Sequence, residues 1–564
     1  MKILWLDLNS SYAHSSLALP ALHAQLMEDN SIEWKMVSAT INENPGMIAG
    51  EIYRHQPDII AATCWLFNHE ALMHILSRTS ALLPQCAIIL GGPEFLGNNE
   101  HFLRCNPFVT CVFRGEGEEM FPLWVKKWNC PKAWNQVTGL CYIDENGNYC
   151  DNGLARVLAF DRLVNPEQSI FFNWEKPFVQ LETTRGCFNT CAFCVSGGEK
   201  PVRSLSIEMI RTRIAEIHRH GIRNIRVLDR TFNYNNRRAK ALLQLFCEFP
   251  DICFHLEIHP ALLSEELKSE LSYMPKGLLH LEAGIQSLHE NVLLTSKRMG
   301  KLADALEGLQ FLCSLPNMET HADLIAGLPL YHLHEIFDDI RTLASYQAGE
   351  IQLESLKLLP GTEMRQRAEE LGIQYSPLPP YEVLQTREIT PDELQTARLL
   401  SRLLDGFYNT PAWQNITRSL IIGHEDFLQR FLEHLTSLHV IDTPLSLERR
   451  GILLYEFCQT HYPEYTHSVT LAWIEAGMSL KKKPAERVRT KHVSLPSLWE
   501  TLKGVYHERL RLCRIDDEKN ECSYWYGFET DIQQSRPVFK GKSPLAKISN
   551  SSHSSNKNRI FAPL

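Results

Sequence analysis

Hydrophobic positions in the first 130 residues come as short unbroken runs, separated by stretches in which apolar side chains recur every three or four residues. The runs are KILWLDL from Lys2, EWKMVSA from Glu33, DIIAATCW from Asp58, AIILGGP from Ala87 and VTCVFRG from Val109. Between them, segments such as HEALMHILSRTSALL from His69 carry the helical period. Unbroken apolar strands alternating with helices predict a doubly wound parallel sheet covered on both faces. Such sheets bind ligands beyond the carboxyl ends of their strands. Here those ends carry LNSSYAHSS, TCWLFNHE, GGPEF and RGEGEE.

The pattern changes between residues 135 and 176. GLCYIDENGNYCDNG reads as a short hairpin with Asn-Gly at its turn, and an irregular aromatic stretch follows, so this segment is expected to be a linker. Strand–helix alternation resumes at Phe178, with runs beginning at residues 178, 222, 253, 278, 320 and 350. One intervening helix is framed by Ser206 as N-cap and Gly221 as stop. Six such units suit a partial (β/α)6 barrel of the TIM type, with its chemistry at the carboxyl ends of the strands.

Beyond residue 366 the strand signal fades. A periodic helix begins at Thr390-Pro391, with Glu393 placed to complete a capping box. Further helical segments run to about residue 510, broken by the basic stretch KKKPAERVRTKH, and the polar last stretch reads as disordered. The expected organisation is a doubly wound domain at 1–134, a hairpin linker at 135–176, a barrel at 177–365, a mostly helical domain at 366–535 and a disordered tail at 536–564.

At 564 residues the chain is too long for a single core, and 44% hydrophobic with 22% charged residues is ordinary for a globular protein. A net charge of −9 gives no general attraction to phosphate backbones, so nucleic acid is not indicated as a partner. MKILWLDL lacks the features of a signal peptide, and no run reaches the roughly 20 apolar residues that span a bilayer, which predicts a cytoplasmic protein without a membrane partner. Most of the 16 cysteines are scattered in apolar surroundings and read as packing residues; a disulfide framework is not expected in a reducing compartment.

Three cysteines differ. TTRGCFNTCAFC places Cys187, Cys191 and Cys194 in the loop after the first barrel strand. Structural zinc takes four ligands, and no fourth Cys or His lies at suitable spacing. A [4Fe–4S] cluster on three cysteines leaves one iron open for a chelating ligand.

This spacing, with Phe193 just before the third cysteine, resembles the signature of the radical S-adenosylmethionine (SAM) superfamily. LEAGIQS from Leu281 with the following KRMG, DLIAGLP from Asp323 and LESLKLLPGT from Leu353 are similar to the family's fourth, fifth and sixth strand segments. The resemblance implies that SAM chelates the open iron and that one electron cleaves it to a 5′-deoxyadenosyl radical. An electron donor such as flavodoxin or ferredoxin is implied as a partner. By position, the candidate SAM contacts are Gln286, Ser287, Arg298, Arg203 and Gly327. The family's Gly-Gly-Glu on the second strand is absent there. A GGE at Gly197–Glu199 falls too early, and the second strand ends in LDRTFN, putting Asp229, Thr231 or Asn233 in its place.

A doubly wound domain ahead of such a barrel resembles the B12-binding class of the superfamily, with a Rossmann-like cobalamin-binding domain. The matching pieces are Gly91, Gly92, Pro93 and Glu94 in LGGPEF, Gly115, Glu116 and Gly117 in FRGEGEEMF, and Thr63. Ser10, Tyr12 and His14 lie in the first loop, which lacks the Asp-x-His-x-x-Gly fingerprint of a lower axial histidine. The arrangement as a whole is similar to a subfamily with a C-terminal domain of unknown function. It implies a cobalamin-dependent methyltransferase acting on an unactivated carbon or on phosphorus of a small-molecule or peptide substrate. The alternatives are rearrangement or cyclisation without methyl transfer, and a non-catalytic cobalamin or redox sensor.

Overall fold

The computed structural model describes residues 1–12, 16–484, 510–517, 520–529, 536–544 and 562–563, and the chain forms two compact units, Met1–Arg398 and Leu399–Leu564. The first unit opens with a sheet of seven strands: β1 (Lys2–Asn9), β2 (Glu33–Thr40), β3 (Ile59–Thr63), β4 (Ala87–Gly91), β5 (Cys111–Phe113), β6 (Leu140–Ile143) and β7 (Tyr149–Asp151). Their spatial order is β2-β1-β3-β4-β5-β6-β7; the first five are parallel, and β6 and β7 join antiparallel. The expected linker hairpin is therefore part of this sheet: β6 pairs with the edge strand β5, which would otherwise present open backbone groups.

Strand β1 lies between β2 and β3, so the strand order switches there and opens a crevice at the carboxyl end. The apolar runs are continuous because both faces are covered. Leu4, Leu6 and Leu8 pack into one core, and Ile3 and Trp5 into the other.

The same unit holds a second parallel sheet of six strands, in sequential order: Val179–Leu181, Asn224–Val227, Cys253–Ile258, Leu279–Gln286, Glu319–Ala326 and Glu350–Ser355. Along the third strand Phe254, Leu256 and Ile258 are buried while His255 and Glu257 are half-buried, an alternation repeated on the fourth strand. The apolar set packs outward under the helices and the polar set faces the barrel lumen. Ser206 caps the helix Ile207–Arg219 by accepting from the Met209 amide, and Gly221 stops it at φ +83°. The Thr390/Glu393 capping box forms in both directions.

In the second unit, helices Pro411–Gly423, Phe427–Ser437, Leu447–His461 and Thr466–Glu475 surround Trp413 and Trp473, which are fully buried. This unit also holds an antiparallel sheet of Leu510–Asp517, Cys522–Glu529, Phe539–Pro544 and Ala562–Pro563. The region is mostly helical, as expected, but the tail expected to be disordered from residue 536 contributes two of the strands. The first compact unit runs to Arg398, past the expected end of the barrel at 365. Residues 485–509, with most of the basic stretch, lie outside the described residues. Among the described residues, no helix is long and apolar enough to cross a membrane.

Candidate functional site

The cluster loop is held at its neck and along its length. Thr184–Arg185 pairs antiparallel with Arg203–Ser204, and the Cys187 amide donates to the Glu199 carbonyl at 3.0 Å. Gly186 sits at φ +94°, where a Cβ would lie 2.6 Å from that same carbonyl oxygen, so the turn into Cys187 requires glycine. Asn189 anchors the middle of the loop, its Oδ1 accepting from the Met299 amide at 3.0 Å.

Cys187 and Cys191 are buried and Cys194 is half-buried. Among the described residues, no three His, Cys, Asp or Glu side chains close on one point as ligands of a single metal ion would. The thiols are nevertheless near enough to act on one another's ionisation, Cys187 and Cys194 both opposing the charge on Cys191. Three cysteines with no fourth Cys or His beside them among the described residues suit a [4Fe–4S] cluster with one open iron better than structural zinc, which takes four ligands. Burial pushes the Cys191 thiol up, against the pull of Arg298, whose Nη1 lies 3.7 Å from the sulfur. Burial likewise raises Cys194, against Arg230.

The expected SAM contacts separate into two groups. Gln286, Arg298 and Thr231 come together beside the cysteines. The Arg298 guanidinium donates to the Gly284 carbonyl, and Gln286, at φ +71° past a strand irregularity, folds its amide into the space a Cβ on Gly284 would take. Thr231 Oγ1 is 3.9 Å from Cys187 Sγ, and Phe193, between Cys191 and Cys194 on the loop, is half-buried. Gly327, at φ +89°, has Leu394, Val383 and Leu356 around its Cβ position, which is packing.

Asp229, Arg203 and Ser287 are engaged elsewhere. Asp229 is 1% exposed and accepts from the Thr183 and Thr184 amides at 2.8 and 2.9 Å and from the Thr183 hydroxyl; it fixes the strand exit ahead of Cys187. Arg203 pairs with Glu116 at 2.6 Å and Glu199 at 2.8 Å, tying the first domain to the cluster loop. Ser287 is fully buried and accepts from the His289 amide.

Inside the barrel, Glu257, Glu282 and Asp323 face the lumen on three successive strands. Glu282 is paired with His255 at 2.8 Å, whereas Asp323 Oδ1 is buried without a hydrogen-bond partner. Burial, with Glu282 and Glu257 nearby, pushes the Asp323 carboxyl up to about 8, and burial pushes Glu257 up to about 7 against the pull of Arg230. A carboxyl raised in the folded protein keeps a proton that the unfolded chain has released. Its contribution to stability is therefore full below the ordinary carboxylate range and falls as pH rises to the raised value. Thermal unfolding of the ligand-free protein is expected to lose a few degrees of Tm between about pH 4 and pH 8 from this source. Asp323→Asn should flatten that slope, and an unchanged slope would remove Asp323 as its origin.

A cavity of about 790 Å³ lies between the carboxyl ends of the first sheet and the barrel mouth. Ser10, Thr63, Gly91, Gly92 and Pro93 line one side, and Gly115, Glu116 and Gly117 another. Trp65, roughly parallel to Phe67, adds an aromatic wall. Gly92 needs its φ of +109°, because a Cβ there would lie 2.5 Å from the Cys64 carbonyl oxygen. Val195 and Ser196 of the cluster loop close the far side, with Arg230.

Two candidates do not face this cavity. Glu94 turns away, its Oε2 accepting from the Tyr381 hydroxyl at 2.6 Å and lying 3.3 Å from His69 Nδ1. Tyr12 is 72% exposed and donates to Glu43. His14 lies outside the described residues.

Sequence reasoning missed the charged lattice around the loop neck. Arg185 pairs with Glu118 and Glu182 at 2.6 and 2.7 Å, and Glu199 with Arg156 at 3.5 Å. Arg185 stands two residues before Cys187, inside the motif itself, and that position was the available signal.

Three family models match in chain order: the B12 binding domain over residues 6–124, the Radical SAM superfamily over 181–343, and the protein of unknown function DUF4080 over 369–474. The cobalamin-dependent radical SAM methyltransferase TokK of Streptomyces tokunonensis is 23% identical over 354 residues, 57% of this chain and 50% of that protein. The chain thus spans about half the length of the curated relatives it matches.

Two solved structures share the fold. The cobalamin-dependent SAM radical enzyme OxsB, with aqua-cobalamin and SAM bound, has a TM-score of 0.60 at 15% identity, covering 84% of this chain and 78% of that one. The radical SAM methyltransferase TsrM of Kitasatospora setae, with cobalamin and a [4Fe–4S] cluster bound, has a TM-score of 0.55 at 13% identity, covering 81% and 99%. The cofactors of these domains are the [4Fe–4S] cluster, SAM and cobalamin. The chain thus carries, in order, a B12 binding domain, a Radical SAM domain and a DUF4080 C-terminal domain.

Proposed function

We propose that this protein is a cobalamin-dependent radical SAM methyltransferase acting on an unactivated carbon or a phosphorus of a small molecule or peptide. The observation that carries this reading is that the cluster loop forms one wall of the cavity into which the first domain presents its glycine-rich strand ends. When bound, the cluster with SAM supplies a 5′-deoxyadenosyl radical and the corrinoid supplies a methyl carrier.

The chain's own residues position these groups. Cys187, Cys191 and Cys194 hold the cluster, and Arg298 with Gln286 meets the carboxylate of SAM. Gly91, Gly92 and Gly117 let the corrinoid approach the backbone, with Trp65 as an apolar surface. The Glu116–Arg203–Glu199 bridge ties the first domain to the cluster loop at the cavity's edge.

Anaerobic reconstitution with iron, sulfide and cobalamin, followed by reduction with SAM, tests the reading. Expected results are a corrinoid absorption band, 5′-deoxyadenosine release and, once a substrate is found, a product heavier by one methyl group. An unmethylated, rearranged product would leave the cofactors in place and overturn methyl transfer. Gly91→Leu sharpens the test. A Cβ at Gly91 meets only Phe113 Cβ, at 3.8 Å, so the fold accepts it while the added branch enters the cavity. Corrinoid affinity should fall by about tenfold or more with iron content unchanged. Unaltered corrinoid binding would place cobalamin elsewhere.

A further inference from the structure

Gln286 ends the fourth barrel strand at φ +71°, in the left-handed region that a residue with a Cβ rarely adopts. The pairing register with the fifth strand slips here. Gly284 stands opposite Asp323 and Gln286 opposite Leu324, so Ile285 is an extra residue. A bulge of this kind re-aims the side chain beside it. The Gln286 amide is turned back into the space a Cβ on Gly284 would take, and Arg298 Nη2 lies 3.7 Å from the same point. Left-handed backbone at a non-glycine residue is strained, and it persists only where neighbouring contacts fix the chain.

Those contacts converge on one carboxylate. Asp339, in the helix Leu333–Ser345, is buried, and its Oδ2 accepts from the Leu288 amide at 2.9 Å and from the Tyr331 hydroxyl at 2.5 Å. Its Oδ1 lies 3.1 Å from His289 Nε2, and Glu335, one turn earlier, stands 3.5 Å from His289 Nδ1. Ser287 adds a local bond, its hydroxyl oxygen accepting from the His289 amide. The three residues after Gln286 are therefore clamped onto a helix and onto Tyr331, itself fully buried just past the fifth strand. These bonds go to the strand-exit loop and not to a cluster cysteine, so the influence of Asp339 on the site passes through that loop.

We propose that Asp339 is a positioning residue for SAM: by clamping residues 287–289 it holds Gln286 in its left-handed conformation, with the amide beside Arg298. Without the clamp the strand exit relaxes towards ordinary extended backbone, and the amide swings away from Arg298. The inference rests on the proposed contact of Gln286 with the carboxylate of SAM.

The test uses the full-length, reconstituted protein with its cluster oxidised, so that SAM binds without being cleaved, and reads the Kd for SAM by calorimetric titration. Asp339→Ala is expected to weaken SAM binding about tenfold. Asp339→Asn, whose amide oxygen takes the place of Oδ2, should recover most of that loss. Under dithionite, the KM for SAM of the alanine variant should rise by a similar factor, with kcat changing less than KM. In a Gln286→Ala background, which has already lost the amide, Asp339→Ala should cost nothing further. A purely structural carboxylate would lower the melting temperature and leave the Kd alone, or weaken SAM equally in both backgrounds, and either result overturns the proposal. Iron content and the melting temperature without SAM identify an alanine variant that folds poorly, and Tyr331→Phe then carries the test. It keeps the carboxylate and its bond to Leu288, and should weaken SAM about threefold in the wild-type background and not at all with Gln286→Ala. A Gln286→Ala protein that binds SAM as tightly as wild type would instead defeat the contact assigned to Gln286, and the positioning role with it.

Discussion

Replacing Cys191 by alanine is expected to cut iron in the reconstituted protein from about four atoms per chain to below one, and to abolish 5′-deoxyadenosine formation. The three thiols sit in a loop whose backbone is already fixed by Asn189, Glu199 and Ser296, so the loop keeps its shape and loses only a ligand. Two cysteines cannot retain a cubane against chelators, and the fold should survive because Cys191 contributes little apolar contact beyond its sulfur. The informative comparison is Cys458→Ala, a buried thiol in a helix of the second unit. It should cost about 1 kcal/mol of stability at most and leave iron content untouched. Iron retained in the Cys191 variant, or lost in the Cys458 variant, would contradict the assignment of ligand and packing cysteines.

Asp229→Ala should have the second-largest effect, through folding of the site rather than its chemistry. The carboxylate is almost fully buried and takes three hydrogen bonds from Thr183 and Thr184, while Arg238 donates to the Thr183 carbonyl at 3.1 Å. Alanine would leave two buried amides and a hydroxyl without acceptors, and the Arg238 guanidinium without a carboxylate that favours its charge. A loss of about 3–5 kcal/mol follows from deleting one member of such a network. Because these residues stand just before Gly186 and Cys187, cluster incorporation should fall along with the melting temperature. Asp229→Asn restores an acceptor oxygen and should recover part of the stability. If Asp229 instead held the amine of SAM, the alanine variant would keep its melting temperature and iron content and lose only SAM affinity. Thermal denaturation and iron analysis separate the two roles.

The order of strands and helices in the first 365 residues was legible because both sheets obey simple periodicities. The first sheet is covered on both faces and reads as unbroken apolar runs, while barrel strands such as Cys253–Ile258 alternate between helices and lumen. The three cysteines stood out because their spacing is local. The partners of Asp229 and Arg203 were not legible for a common reason. Each is polar and stands at a strand end, and position alone does not reveal that Thr183 or Glu116 already occupies it. The contact between Glu94 and Tyr381 spans 287 positions, beyond any local pattern. The C-terminal sheet was missed because LRLCRIDD has charged residues at both odd and even positions, which hides the period of two in the sequence.

The hairpin Leu140–Asp151 has a consequence for how this chain can be divided. Gly115 bridges Ala155, and Glu116 accepts from the Val157 amide at 2.8 Å, so the first sheet is finished only by residues well past the point where its β/α repeats end. A cut at residue 134 would leave β5 as a bare edge and strand Glu116 without its partners. Recombining such proteins by exchanging corrinoid modules at that apparent boundary would yield sticky, self-associating fragments. A seam that respects hydrogen-bonded neighbours falls in the stretch just before Val179, with the hairpin travelling alongside the nucleotide-fold half.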